Sequence, residues 1–271
     1  MTGGRSAGLA LALMAAAVPT TPAPERETGA WELVWSQEFD GRAGQRPDPD
    51  AWTFDIGTDW GNAQLEYDTD RPENVSLDGE GCLAITARRE DHRGCEYTSG
   101  RIHTRQGFQR EGGRFAARIR LPRGAGIWPA FWLLGGNFGE VGWPDCGEID
   151  VMEYRGQEPT VVHGSLHGPG YSAAECVTAS YRLPAGDLSA DFHVFAIEWE
   201  ERSISWWLDD TCYRTVSVED LPPGRDWVFD HPFFLILNVA VGGHFVGPVG
   251  ESTTFPQTML VDWVRVYERR G

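Results

Sequence analysis

The stretch "GEIDVMEY", Gly147 to Tyr154, holds Glu148, Asp150 and Glu153 among the apolar Ile149, Val151 and Met152. Carboxylates brought together raise one another's pKa. A pair whose pKa values are pushed apart can divide acid, base and nucleophile roles, as glycoside hydrolysis requires. The spacing at first argues against a meeting. On a strand Glu148 and Asp150 share a face and Glu153 falls on the other. On a helix Glu153 lies about 140° round from Glu148 at roughly 100° per residue. One extra residue, a β-bulge at Val151 or Met152, returns Glu153 to the first face. Ile149 and one of Val151 or Met152 then anchor the strand in the core. Spacing alone leaves three readings open: catalysis, a hard-cation site with oxygen ligands, or surface acids of an acidic protein.

A second stretch, "GIWPAFWLLG" (Gly126 to Gly135), places Trp128, Ala130 and Trp132 on one strand face and Phe131 and Leu133 on the other. Two such rings beside Gly-rich loops suit stacking on sugar rings, with N–H groups free to bond hydroxyls. Core packing is the competing reading for any tryptophan in a chain with 12 of them.

The elements that must position these residues read as strands. "WELVWSQEF" alternates Trp31, Leu33 and Trp35 against polar neighbours. "CLAITAR", "RFAARIRL", "HVFAIEWE", "SISWWLD", "CYRTVSV", "FFLILNVAV" and "MLVDWVRVYE" are short, β-branched or aromatic, and bounded by turn residues. "LDD" (Leu208 to Asp210) predicts a hairpin turn. No sustained apolar pattern has helical period. With no repeat or composition shift after residue 30, the expectation is an all-β fold: one two-sheet antiparallel β-sandwich of the jelly-roll kind over 30–271, with no second module after it.

The chain has 271 residues, 41% hydrophobic and 12% aromatic, which describes an ordered globular protein. A formal charge of −17 offers no basic footprint for nucleic acid or an anionic membrane surface. All 23 basic residues are arginine. Arg5 precedes an apolar run from Ala7 to Val18, with small residues at 15–17; this reads as a secretory signal ending near residue 23, followed by a flexible leader over 24–29. An uncleaved anchor is the alternative, disfavoured by the short run. The expected product is an extracellular, secreted monomer. Cys82, Cys95, Cys146, Cys176 and Cys212 contain no CxxC pair, which argues against zinc. In an exported protein, Cys82–Cys95 and Cys176–Cys212 are the expected bridges, leaving Cys146 as a small buried hydrophobe.

In their order along the chain, "YTSGRI", "GIWPAFWLLG", "GWPDCGEIDVMEY", "HVFAIEW", "ILNVAVGG", "FPQTM" and "VDWVRVY" resemble glycoside hydrolase family 16. The similarity spans about Trp31 to Tyr267 and lies closest to the bacterial endo-β-1,3-glucanases, or laminarinases. The resemblance implies a concanavalin-like jelly roll with a concave substrate cleft. Glu148 matches the nucleophile, Glu153 the acid/base and Asp150 the assisting acid. His167 in "LHG" matches the histidine near the acid/base. Asn62, Arg101, Trp143 and Asn238 match positions that contact sugar. Met152 within the motif resembles the laminarinase, agarase and carrageenase branches, since mixed-linkage glucanases typically lack that residue. No cofactor is implied for catalysis. A structural calcium ion is implied at Glu38, the Gly79 carbonyl and Asp262.

These readings predict a retaining, endo-acting hydrolysis of β-1,3-glucan. The alternatives are a β-glucan-binding lectin-like module, or a hydrolase of the same fold acting on mixed-linkage glucan or agar.

Overall fold

The structure, a computed structural model, describes residues 31–270. Seventeen strands account for nearly all regular structure. In chain order they are β1 (Trp31–Gln37), β2 (Thr53–Asp55), β3 (Glu66–Asp68), β4 (Val75–Leu77), β5 (Leu83–His92), β6 (Cys95–Ser99), β7 (Arg101–His103), β8 (Gly113–Arg120) and β9 (Ile127–Gly135). There follow β10 (Glu148–Tyr154), β11 (Val161–His167), β12 (Val177–Arg182), β13 (His193–Glu200), β14 (Ser203–Leu208), β15 (Thr211–Ser217), β16 (Phe233–Val241) and β17 (Gln257–Arg269). The signal and leader assigned to residues 1–29 lie outside the described residues. No helix among the described residues is long and apolar enough to cross a membrane.

The strands form two sheets. One runs β15-β14-β13-β8-β17-β5-β6-β3, with β1 added on β17 and β4 on β5; the other runs β12-β11-β10-β9-β16-β7-β2. Pairing is antiparallel except between β3 and β6. The expected jelly-roll sandwich is therefore the observed one. Alternate residues of each strand face the layer between the sheets. In the seven-stranded sheet Ile149, Phe131, Leu133, Leu235, Leu237 and Val239 are fully buried there. The opposite face mixes polar side chains with smaller apolar clusters such as Leu134, Phe234 and Ile236, and it carries the site.

The β1 alternation departs from expectation. Leu33 pairs with Tyr267 and Trp35 with Val266, so Val34 is an extra residue. The bulge turns Trp35 inward onto Phe108, with ring centroids 4.6 Å apart, and leaves Leu33 half exposed. The "LDD" turn is where the sequence places it, with Asp209 in the left-handed region at φ 52°.

All five cysteines are free thiols, so neither expected bridge forms. Cys82 precedes β5 and Cys95 faces His92 at that strand's far end, about 30 Å along the chain path at ~3.3 Å per residue. Cys176 precedes β12 of one sheet and Cys212 lies on β15 of the other, and their sulfur atoms face Thr178 and Thr215 respectively. Cys146 is fully buried, as expected.

Candidate active site

The site is built on β10 and its neighbours. Along β10, Asp150 faces Ser165 of β11 and Glu153 faces His163, so three steps on one strand match two on the other. Against β9, Asp150 faces Trp132 and Glu153 faces Ala130. This is the bulge that the carboxylate spacing demands. Val151 and Met152 are both buried in the main core, where the sequence reading placed only one of them. Gly147, just before Glu148, has φ 74°, and a Cβ there would stand 2.8 Å from the Phe233 ring. Both constraints call for glycine at the entry to the strand.

The three acids meet on the outer face. His167 lies opposite Glu148 in the register, with Nε2 3.0 Å from Asp150 Oδ2 and 3.6 Å from Glu148 Oε1. The other ring nitrogen, Nδ1, accepts the main-chain N–H of Ala173 at 3.1 Å. Nδ1 therefore carries no proton in the neutral ring, and Nε2–H donates to Asp150. Ala173 holds φ 51°, a strained setting for a residue with a Cβ, and this aims its N–H at the histidine.

Burial raises Glu148 to about 8, reinforced by the charge on Asp150. It raises Asp150 to about 8. Glu153 is also raised to about 8, first by burial and then by Asp150, while the Trp128 N–H pulls against the rise. Because each acid holds back its neighbours' ionisation, protons leave the set in separate steps. Near neutral pH the free site keeps protons among its carboxyls, which is the condition for one to act as an acid while another is charged.

Glu148, Asp150 and His167 offer ligand atoms within 4.8 Å of one another. A metal at Nε2 would need that nitrogen unprotonated, whereas the Ala173 N–H holds the opposite tautomer. Of the implied calcium positions, Glu38 accepts two bonds from Arg265, each 3.0 Å, and Asp262 accepts from Arg118. The negative charge a divalent cation would seek on these side chains is already balanced, leaving main-chain carbonyls such as that of Gly79 as donors.

The tryptophans differ from expectation in how they are used. Trp128 is buried, its N–H donating to Glu153 Oε1 at 3.0 Å and its ring against Phe245. Trp132 donates to Asn238 Oδ1 at 2.8 Å. Neither N–H is free for a hydroxyl. Trp143 is the exposed ring, 44% accessible, with its centroid 6.0 Å from that of His167. Arg101 lies between Trp60 and Trp132, 4.9 Å from each ring centroid, and donates to Asp55 Oδ2 at 2.9 Å. Asn62 is exposed, and its carbonyl accepts the His244 N–H.

Several neighbours escaped the sequence reading. Asp55 is buried enough to push its pKa up, but His103 and Arg101 outweigh that and hold it low. His103 repeats the pattern of His167: Nδ1 accepts the Arg105 N–H and Nε2 faces Asp55 at 3.5 Å. Glu66 and Asp68 are almost wholly buried near Arg101, with Glu66 raised to about 7 by burial. No local pattern marked Asp55, Trp60 or His103.

A paired-glutamate strand with a histidine bonded to Asp150, an exposed tryptophan and an aromatic-clamped arginine describes a carbohydrate-cleaving site, and known proteins agree. The β-glucanase of Rhodothermus marinus is 44% identical over 246 residues, covering 88% of this chain and 85% of that protein. The glucan endo-1,3-β-glucosidase of Cryptopygus antarcticus is 39% identical over 235 residues, covering 81% and 83%. The laminarinase catalytic domain of Thermotoga maritima MSB8 superposes with TM-score 0.84 at 48% identity, covering 89% of this chain and 100% of that one. The sequence model of "Glycosyl hydrolases family 16" matches residues 56–265, and the chain belongs to that family.

Proposed function

We propose that the protein is a secreted, endo-acting hydrolase of β-1,3-glucan that works by retaining double displacement. The observation that carries the reading is the β10 bulge, which puts Glu148 and Glu153 on one face with Asp150 between them. The relatives' activities support the substrate class: a β-glucanase, a glucan endo-1,3-β-glucosidase and a laminarinase. The apolar run at residues 7–18 supports secretion.

In this mechanism ionised Glu148 attacks the anomeric carbon while protonated Glu153 gives its proton to the departing glucosyl oxygen. A covalent glycosyl–Glu148 ester forms as the glycosidic bond breaks. Glu153, now a carboxylate, takes a proton from water, which displaces Glu148 and restores both groups. Asp150 holds the charge and orientation of Glu148, and the His167 Nε2–H fixes Asp150. Trp143 supplies an open ring for a sugar face and Arg101 a fixed set of donors for hydroxyls.

Product profiling on laminarin, lichenan and agarose tests the reading, with Glu148→Ala as control. Oligosaccharide release from laminarin that Glu148→Ala abolishes is the expected result. Binding of laminarin without new reducing ends would instead indicate a lectin-like module, and cleavage confined to lichenan or agarose would move the substrate.

A further inference from the structure

The β10 bulge needs something to hold it. Both of its ladders shift directly after Asp150, and an extra residue disrupts the regular pairing of main-chain groups. The Asp150 carbonyl oxygen accepts the indole N–H of Trp206 at 2.8 Å. Trp206 is fully buried and belongs to β14, in the other sheet, so this bond crosses the core.

Gly164 opens the path. Ser165 faces Asp150 and His163 faces Glu153, which leaves Gly164 as the single residue opposite Val151 and Met152. A Cβ on Gly164 would stand 2.4 Å from Trp206 Nε1 and 3.0 Å from the Asp150 carbonyl oxygen. Gly164 is not one of the positive-φ glycines, so space rather than backbone freedom requires it. Asp150 is thereby held at two points: its main chain by Trp206 from inside the sandwich, its side chain by His167 on the outer face.

We propose that Trp206, reaching through the gap at Gly164, is a positioning residue for catalysis: its hydrogen bond to the Asp150 carbonyl sets the bulge and so the spacing of Glu148 and Glu153. The proposal rests on the hydrolase reading above. The indole ring contributes to the core as any large aromatic would, whereas its N–H bonds the main chain of the catalytic strand. Retaining chemistry depends on carboxyl spacing, and small misplacements of reacting groups are costly in rate.

The test compares Trp206→Phe with Trp199→Phe. Trp199 is likewise buried and donates to a main-chain carbonyl, that of Phe229 at 3.2 Å, away from β10. Trp206→Phe is expected to lower kcat on laminarin about tenfold, with KM within about twofold. Trp199→Phe is expected to lower Tm comparably while keeping kcat within about twofold of wild type. Wild-type kcat in Trp206→Phe, or an equal kcat loss in Trp199→Phe, would overturn the proposal. If Trp206→Phe does not fold, benzothienylalanine at position 206, with sulfur in place of the ring N–H, decides by the same outcomes. An inactive wild type would refute the hydrolase reading itself, whereas an active wild type indifferent to the loss of this N–H refutes only the role of Trp206.

Discussion

Trp128 and Glu153 are joined by an indole N–H that donates to Oε1 across 3.0 Å. The bond connects a buried ring on β9 to the proposed acid/base on β10, which gives the tryptophan a direct hold on that carboxyl's proton affinity. A donor facing a carboxylate favours its charged form and lowers its pKa. Trp128→Phe should therefore raise the Glu153 pKa and move the alkaline limb of the kcat/KM profile up by about one pH unit. A pH–rate series on laminarin reads this directly, and an unmoved alkaline limb would show that the bond does not tune the acid.

The clustered acids also cost stability. Glu148 is raised to about 8 in the folded protein, against an unfolded value near ~4.3. The folded state thus retains a proton that the unfolded chain releases, and stability falls as pH rises from about 4 towards 8. Glu148→Gln removes that loss. Its Tm should exceed wild type at pH 8, by up to about 10 °C, and converge with it near pH 4. Thermal melts across that range check the sign.

Much of this was legible in the sequence, and the limits have physical causes. The bounds of β13 and β16 coincide with "HVFAIEWE" and "FFLILNVAV", where long β-branched and aromatic runs leave little choice. The bulge was legible because three acids cannot share a strand face without it. Strands β2, β3 and β4 span three residues each, too few to show a period. Trp128 and Trp132 were placed on the right face, but local pattern does not reveal that Glu153 and Asn238 take their N–H groups. Asp55 and Trp206 were invisible because their roles arise from residues 46 and 56 positions away.

Asp55 fixes Arg101 from one side while Trp60 and Trp132 flank its guanidinium. Asp55→Asn keeps the shape but weakens that charge-assisted bond. The expected result is a rise in KM for laminarin of about five- to tenfold with kcat changed less than about twofold, since Arg101 does not join the proton transfers. Steady-state kinetics give the split. A fall in kcat alone would place Arg101 in the chemical step.

The thiols give a prediction independent of catalysis. Cys212 is exposed, whereas Cys82 and Cys146 are buried, and burial raises both buried thiols to about 11. In native protein, Cys212 should react first with a thiol-specific reagent, and Cys82 and Cys146 only after denaturation. Intact mass after non-reducing alkylation in denaturant should show five modified cysteines. A Cys176–Cys212 bridge in the peptide map would contradict the free thiols.

In the proposed mechanism Glu148 and Glu153, brought to one face by the β10 bulge, act as nucleophile and acid/base. Following the anomeric proton by NMR in the first minutes of laminarin hydrolysis tests it most directly. With Glu148 as nucleophile, the newly formed reducing end appears as the β-anomer and mutarotates only afterwards. First appearance of the α-anomer would mean that water, not Glu148, attacks the sugar.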